Sequence, residues 1–150
     1  MPRQFDHEKL DVYHAAIDFV VWVGHLLEGP LAGCRISAVK QLDRASTSIP
    51  LNIAEGNGKQ SANDRCRYLG IARGSALECA ACLDALIARG ALPAHRTADG
   101  KALLQRIVEM LCKLAARLQA PSRSNRTNPS TSTSTSTSTK RPPHSLSTGR

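Results

Sequence analysis

One stretch constrains this chain more than any other: Ser48-Ile49-Pro50-Leu51-Asn52-Ile53-Ala54-Glu55-Gly56-Asn57-Gly58-Lys59-Gln60-Ser61. It carries a helical apolar pattern straight through a proline. A proline inside a helix removes one backbone donor and crowds the carbonyl four residues back, here Ser46, at a cost of roughly 3 kcal/mol. A segment that accepts this cost beside Asn52 and Glu55 is fixing a particular bend rather than merely filling a bundle. Gly56 and Gly58 read as the end of that helix, and Ser61 as the cap of the next.

Residues placed at about 100° each predict four helices and no strand. The first spans 10–28 and stops at Gly29-Pro30. Leu10, Tyr13, Ile17, Val20, Gly24 and Leu27 form one apolar row, and Val12, Ala16, Phe19, Val23 and Leu26 a second beside it. Together they cover about 200°, against the roughly 100° stripe of an ordinary surface helix. Such a helix needs cover on two sides, and in a small bundle another subunit is expected to supply the second. Trp22 falls in the polar stripe between Asp18 and His25. Its indole either lies along neighbouring side chains or serves as a contact, in a protein interface or stacked on unpaired bases.

The second helix is predicted over 35–56, with Ala38, Leu42, Ala45, Ile49 and Ile53 inward and Ser37, Lys40, Gln41, Arg44 and Ser48 outward. The third spans 61–89, opened by a Ser61/Asp64 capping box and stopped by Gly90. Its inward row, Leu69, Ala72, Ala76, Cys79, Leu83 and Leu86, is small in volume. Gly70 and Gly74 lie one turn apart on the adjacent row, so this helix is expected to be the tightly packed centre. The fourth spans 97–119, with Leu104, Ile107, Leu111, Leu114 and Leu118 at coiled-coil-like spacing, and ends at Pro121. Short connections make the expected fold an all-α, antiparallel up-down-up-down four-helix bundle over residues 1–120. Residues 121–150, rich in Ser, Thr, Pro, Asn and Arg, cannot form a core and are expected to be a disordered tail.

Charge is unevenly placed. The chain has 20 Lys+Arg against 12 Asp+Glu, a net of +8. Arg123, Arg126, Lys140, Arg141 and Arg150 account for most of the excess, because the tail holds no acid. A basic excess suits anionic partners, nucleic acid above all, through steering and counterion release; a protein that is merely soluble and basic is the plainer alternative. Aromatics are only 3% of residues, so the core falls to Leu, Ile, Val and Ala. The N-terminal residues lack an apolar leader, and the apolar stretch 17–27 is too short to span a bilayer. Five cysteines without secretory context read as reduced, in a cytoplasmic protein.

No constellation for catalysis stands out. Cys79 and Cys82 have C-x-x-C spacing but sit mid-helix without a second pair, so the core reading outweighs metal or redox use. His14 and His25 are three turns apart, too far to share a metal. Phosphate-binding loops, nucleophile elbows and paired catalytic carboxylates are all missing from the pattern. No catalytic residue, metal or cofactor is expected, and the protein is expected not to be an enzyme. Glu55 and Glu78, set among small or apolar residues, are expected to be buried. One of them is expected to pair with Arg44 or Arg73 and to satisfy groups freed by Pro50. The basic set Arg35, Lys40, Arg44, Lys59, Arg65, Arg67 and Arg73 is the candidate nucleic-acid surface. Lys59, Arg65 and Arg67 should gather beside Tyr68 at one end of the bundle. Phosphate contact fits this set, and sequence-specific reading does not.

The run Ser48-Ile49-Pro50-Leu51-Asn52-Ile53-Ala54-Glu55-Gly56-Asn57-Gly58-Lys59, followed by Tyr68-Leu69-Gly70-Ile71-Ala72-Arg73-Gly74-Ser75-Ala76-Leu77-Glu78, resembles the bacterial four-helix-bundle family encoded in part by ribosomal RNA intervening sequences. Leu10-Asp11-Val12-Tyr13 and Met110-Leu111-Cys112-Lys113-Leu114 fit it as well, and the likeness covers about 5–118. The resemblance implies an up-down-up-down bundle that assembles as a ring-shaped homopentamer. It marks Ser48, Pro50, Asn52, Glu55, Gly56, Gly58 and Glu78 as the structural motif. It also implies a role like that of the accessory proteins of diversity-generating retroelements, which bind a reverse transcriptase and template RNA through basic surfaces. Two functions follow as expectations: an oligomer that binds RNA or a ribonucleoprotein without sequence specificity, or a protein-binding adaptor for a reverse transcriptase.

Overall fold

The computed structural model describes residues 3–121; the expected disorder from residue 122 onward lies outside them. Four helices make the body: α1 (Asp11–Glu28), α2 (Ser37–Asn57), α3 (Ala62–Ala88) and α4 (Ala98–Gln119). One-turn 3₁₀ segments, Asp6–Lys9 and Ala94–Arg96, precede α1 and α4. Helix α1 packs on α2 and α4, and α3 packs on the same two, while the diagonal pairs make almost no contact. The cross-section is therefore a square.

Cross-helix bonds give the direction of each neighbour. Arg44 meets Glu78, Ser48 meets Ser75 and Asn57 meets Arg65, so a step forward along α2 is a step backward along α3. Asp84 meets Lys101 and Arg73 meets Cys112, which repeats the pattern for α3 and α4. The bundle is antiparallel, as the short connections require.

All six residues of the inward row on α3 are buried, as are Leu42, Ala45, Ile49 and Ile53 on α2 and Leu104, Ile107 and Leu111 on α4. Leu31 and Leu92, on the connections after α1 and α3, plug the same end of this core. Each connection turns through a glycine with positive φ, Gly33 and Gly90, a backbone region that favours a residue without Cβ. Ser61 caps α3: its Oγ accepts from the Asp64 N–H at 3.1 Å and donates to the Asp64 carboxylate at 2.7 Å.

The two apolar rows of α1 part company. Val12, Ala16, Phe19, Val23 and Leu26 are buried, whereas the other row is half-open and Ile17 is 38% exposed. Trp22 is not in a polar stripe. It joins Ala15, Phe19 and Leu26 on the face toward α4, half-buried, with its ring stacked on Phe19 at 5.6 Å between centroids. A Cβ on Gly100 of α4 would fall inside that indole, so Gly100 is the slot that receives it. Among the described residues, no helix is long and apolar enough to cross a membrane.

Candidate functional site

Ser48, Asn52, Gly56 and Glu78 of the motif lie along the seam between α2 and α3. Helix α2 runs unbroken through Pro50, which is buried. On the seam, the Asn52 amide donates to the Ser48 carbonyl at 2.8 Å and to the Ser48 Oγ at 3.0 Å. Ser75 of α3 donates to the same Ser48 Oγ at 2.9 Å. One bond of the three, Ser75 to Ser48, ties the helices together two residues from the proline, and Asn52 braces Ser48 from within α2. A serine in mid-helix ordinarily competes with the backbone for hydrogen bonds; here Ser48 and Ser75 bond to each other across the seam.

Gly56 lies inside α2 and does not end it. A Cβ there would stand 2.8 Å from Tyr68 Cβ and 3.4 Å from the Arg65 carbonyl. Gly56 therefore sets the distance of closest approach between α2 and α3. Gly58 is the C-cap, in right-handed αR geometry, so of the two glycines read as the helix end it is Gly58 that stands there. The close packing expected of Gly70 and Gly74 is also corrected, because a Cβ at either would meet nothing within 4 Å. Both face outward, and helical periodicity alone did not say which glycine row met a neighbour.

The carboxylates are less buried than expected. Glu78 pairs with Arg44 at 3.1 Å, and Glu55 pairs with Lys59 at 3.3 Å rather than with an arginine. Their side chains are 41% and 53% exposed, so each pair contributes little to stability. Neither carboxylate bonds to the backbone carbonyls beside the proline; the Asn52 amide bonds to that of Ser48, which is not the Ser46 carbonyl that Pro50 leaves without its helical donor. The Tyr68 hydroxyl, and after it Lys59, hold the Glu55 carboxyl below its usual range; Glu55 in turn raises Lys59.

The seven candidate cations do not form one patch. Lys59 and Arg67 flank the Tyr68 ring at 4.8 and 5.7 Å from its centroid. Arg65, expected beside them, turns away and donates to the Asn57 side-chain oxygen at 3.2 Å. Arg44 is held by Glu78, and Arg73 reaches from α3 to α4, with its guanidinium 3.7 Å from the Cys112 sulfur. Arg35 and Lys40 stand at the opposite end of α2, about 30 Å from Lys59 at 1.5 Å per residue. Attention to residues 35–73 missed Lys113 and Arg117, exposed one turn apart at the end of α4, where the acid-free tail begins. Their i, i+4 spacing just before that tail was the available signal.

Cys79 and Cys82 are buried under the seam. Burial pushes Cys79 up to about 12, and burial also raises Cys82, so both are protonated thiols packed as small apolar groups. Among the described residues, no three His, Cys, Asp or Glu side chains gather as a metal site. A groove of about 440 Å³ between α3 and α4 is floored by Ala76, Ala80, Leu104 and Val108 and closed at one end by the Asp84–Lys101 pair. Its lining includes no Ser, Thr, Cys or His.

The family model described as 23S rRNA-intervening sequence protein matches residues 8–113. A crystal structure of a protein of unknown function from the S23 ribosomal protein family of Bacteroides thetaiotaomicron is similar to this chain. The two are 25% identical, with a TM-score of 0.65 over 69% of this chain and 97% of that one. No curated protein matches the chain.

Proposed function

The chain belongs to the 23S rRNA-intervening sequence protein family, and from that premise we propose a non-enzymatic protein that assembles with copies of itself and binds RNA, or a ribonucleoprotein, by phosphate contact without reading sequence. The observation that supports RNA binding is the placement of charge. Lys113 and Arg117 are exposed at the end of α4 and belong to none of the four ion pairs among the described residues. The sequence then continues with five more cations and no acid. Cations without local acids release counterions when they meet phosphates, and this needs no base contact. The ring of five that the family resemblance implies is the assembly we propose, and the half-open apolar row of α1 supports it as a surface to use.

A salt titration of RNA binding tests the proposal. About seven phosphate contacts would weaken binding on the order of a thousand-fold between roughly 50 and 200 mM salt. Absence of binding at low salt removes the RNA reading. Loss of binding on deleting 121–150 assigns it to the tail rather than the bundle. The alternative, an adaptor that docks on a reverse transcriptase, draws support from one feature: Arg44, Lys59, Arg65 and Arg73 already have partners within the chain. It predicts no salt-sensitive RNA binding by the isolated protein. Sedimentation at micromolar concentration tests the assembly, and a monomer there overturns it.

A further inference from the structure

Two exposed apolar patches carry rims of opposite charge. On α1, Ile17 and Val21 are 38% and 54% exposed. Asp18 and Glu28 border them, and the helix contains no Lys or Arg at all. Gly24 leaves an open shelf beside them, with nothing within 4 Å of where its Cβ would be. On the α2–α3 seam, Leu51 is 63% and Ile71 41% exposed, and the antiparallel register sets them level with each other. Lys40 and Arg44 share the helical stripe of Leu51 to within about 20°, whereas Asp43 lies about 80° round. Arg67 stands one turn before Ile71. The seam acids Glu78 and Glu55 are already engaged by Arg44 and Lys59, which leaves Lys40 and Arg67 as surplus positive charge.

From these rims we infer that the α1 patch of one copy docks on the α2–α3 seam of the next, head to tail. This rests on the self-assembly proposed above and names the two surfaces that meet. Docking α1 on α1 would set acid against acid, and seam on seam cation against cation. Only the mixed contact buries Ile17 and Val21 against Leu51 and Ile71 while opposite charges face across the rim. A head-to-tail contact closes into a ring if each junction turns, and extends as a filament if it does not. Trp22 faces α4, with Val21 and Ile17 about 100° and 140° around the helix from it, so the α1 patch points diagonally out from its corner of the square rather than straight away from the α2–α3 seam. The two patches are therefore not back to back, and each junction turns.

The test uses full-length chains carrying Val21→Lys or Leu51→Lys, both at exposed positions that fold without repacking. Each variant keeps one intact face, so each alone is expected to sediment as a monomer. An equimolar mixture is expected to form a dimer and nothing larger, because the two altered faces repel. If Leu51→Lys alone leaves the native oligomer intact, the seam is not the acceptor and the pairing is wrong while self-assembly stands. The same holds for Val21→Lys and the donor face. A mixture that stays monomeric also overturns the pairing. A monomeric wild type overturns self-assembly itself.

Discussion

Two seams of this bundle solve one problem in different ways. In both, an aromatic side chain on one helix approaches a glycine on its neighbour: Tyr68 meets Gly56 across α2–α3, and Trp22 meets Gly100 across α1–α4. At Gly56 the close atom is the Tyr68 Cβ, which moves only with the α3 backbone. At Gly100 the close atoms are the far edge of the Trp22 ring, which is half-buried and can swing outward. The α2–α3 seam also carries the Ser48–Ser75 bond, braced by Asn52, the Arg65–Asn57 bond and the Arg44–Glu78 ion pair. Among the described residues, no side-chain hydrogen bond joins α1 to α4. One seam is therefore held at the backbone and in register, and the other by the shape of a single ring.

The sharpest way to break this comparison is substitution of the two glycines. Gly56→Ala is expected to destabilise by about 2–3 kcal/mol in urea unfolding, since overpacking outweighs the gain in helix propensity. Tyr68→Phe will not rescue it, because the Cβ remains. Gly100→Ala is expected to cost about 1–2 kcal/mol, and adding Trp22→Leu should recover much of it. Equal behaviour of the two pairs under rescue would erase the distinction.

Next in size is an alkaline effect beneath the α2–α3 seam. Cys79 has a folded pKa raised above its ordinary 9.0 to about 12. A raised acid contributes stability that is full below the unfolded value and lost as pH climbs through the folded one. Stability should therefore decline from about pH 9 toward 12. Cys79→Val should flatten that limb; the same slope in both proteins would show that the thiol is not responsible.

Smaller effects separate the two kinds of seam bond. Ser75→Ala, at a buried hydroxyl, is expected to cost about 1 kcal/mol, and Arg44→Ala, at an exposed pair, less than about 0.5 kcal/mol. A reversal of that order would mean the ion pair sets the register. The slightest expected change is in titration alone: Tyr68→Phe should move the Glu55 carboxyl back toward its ordinary value, as read by NMR. Glu55 supports the fold above its unfolded pKa and loses that support as pH falls through its lowered folded one. No movement in the variant would take Tyr68 out of the cluster.

Much of the architecture could be read in advance. The four spans agree with the helices to within two residues at each end, and the Ser61 cap and the Gly90 turn stand where expected. What escaped prediction was pairing. The spacing of Ala15, Phe19, Trp22 and Leu26 marks a buried face, yet Asp18 and His25 flank Trp22 and give its surroundings the look of a polar stripe. Gly56 looked like a stop signal and proved to be a slot, while Gly70 and Gly74 looked like slots and proved to face open space. The basic residues were counted as a set, although Arg65 and Lys59 sit close in sequence and turn to different partners.

Sequence alone settled which residues are helical and, Trp22 apart, the main buried row of each helix, because those follow from a local period and from short-range capping. Only the assembled bundle decided which glycine faces an aromatic, which acid meets which cation and which apolar residues stay uncovered. Those depend on how neighbouring helices are rotated and slid against one another. A hundred degrees per residue gives a direction around one axis and carries no information about the axis beside it.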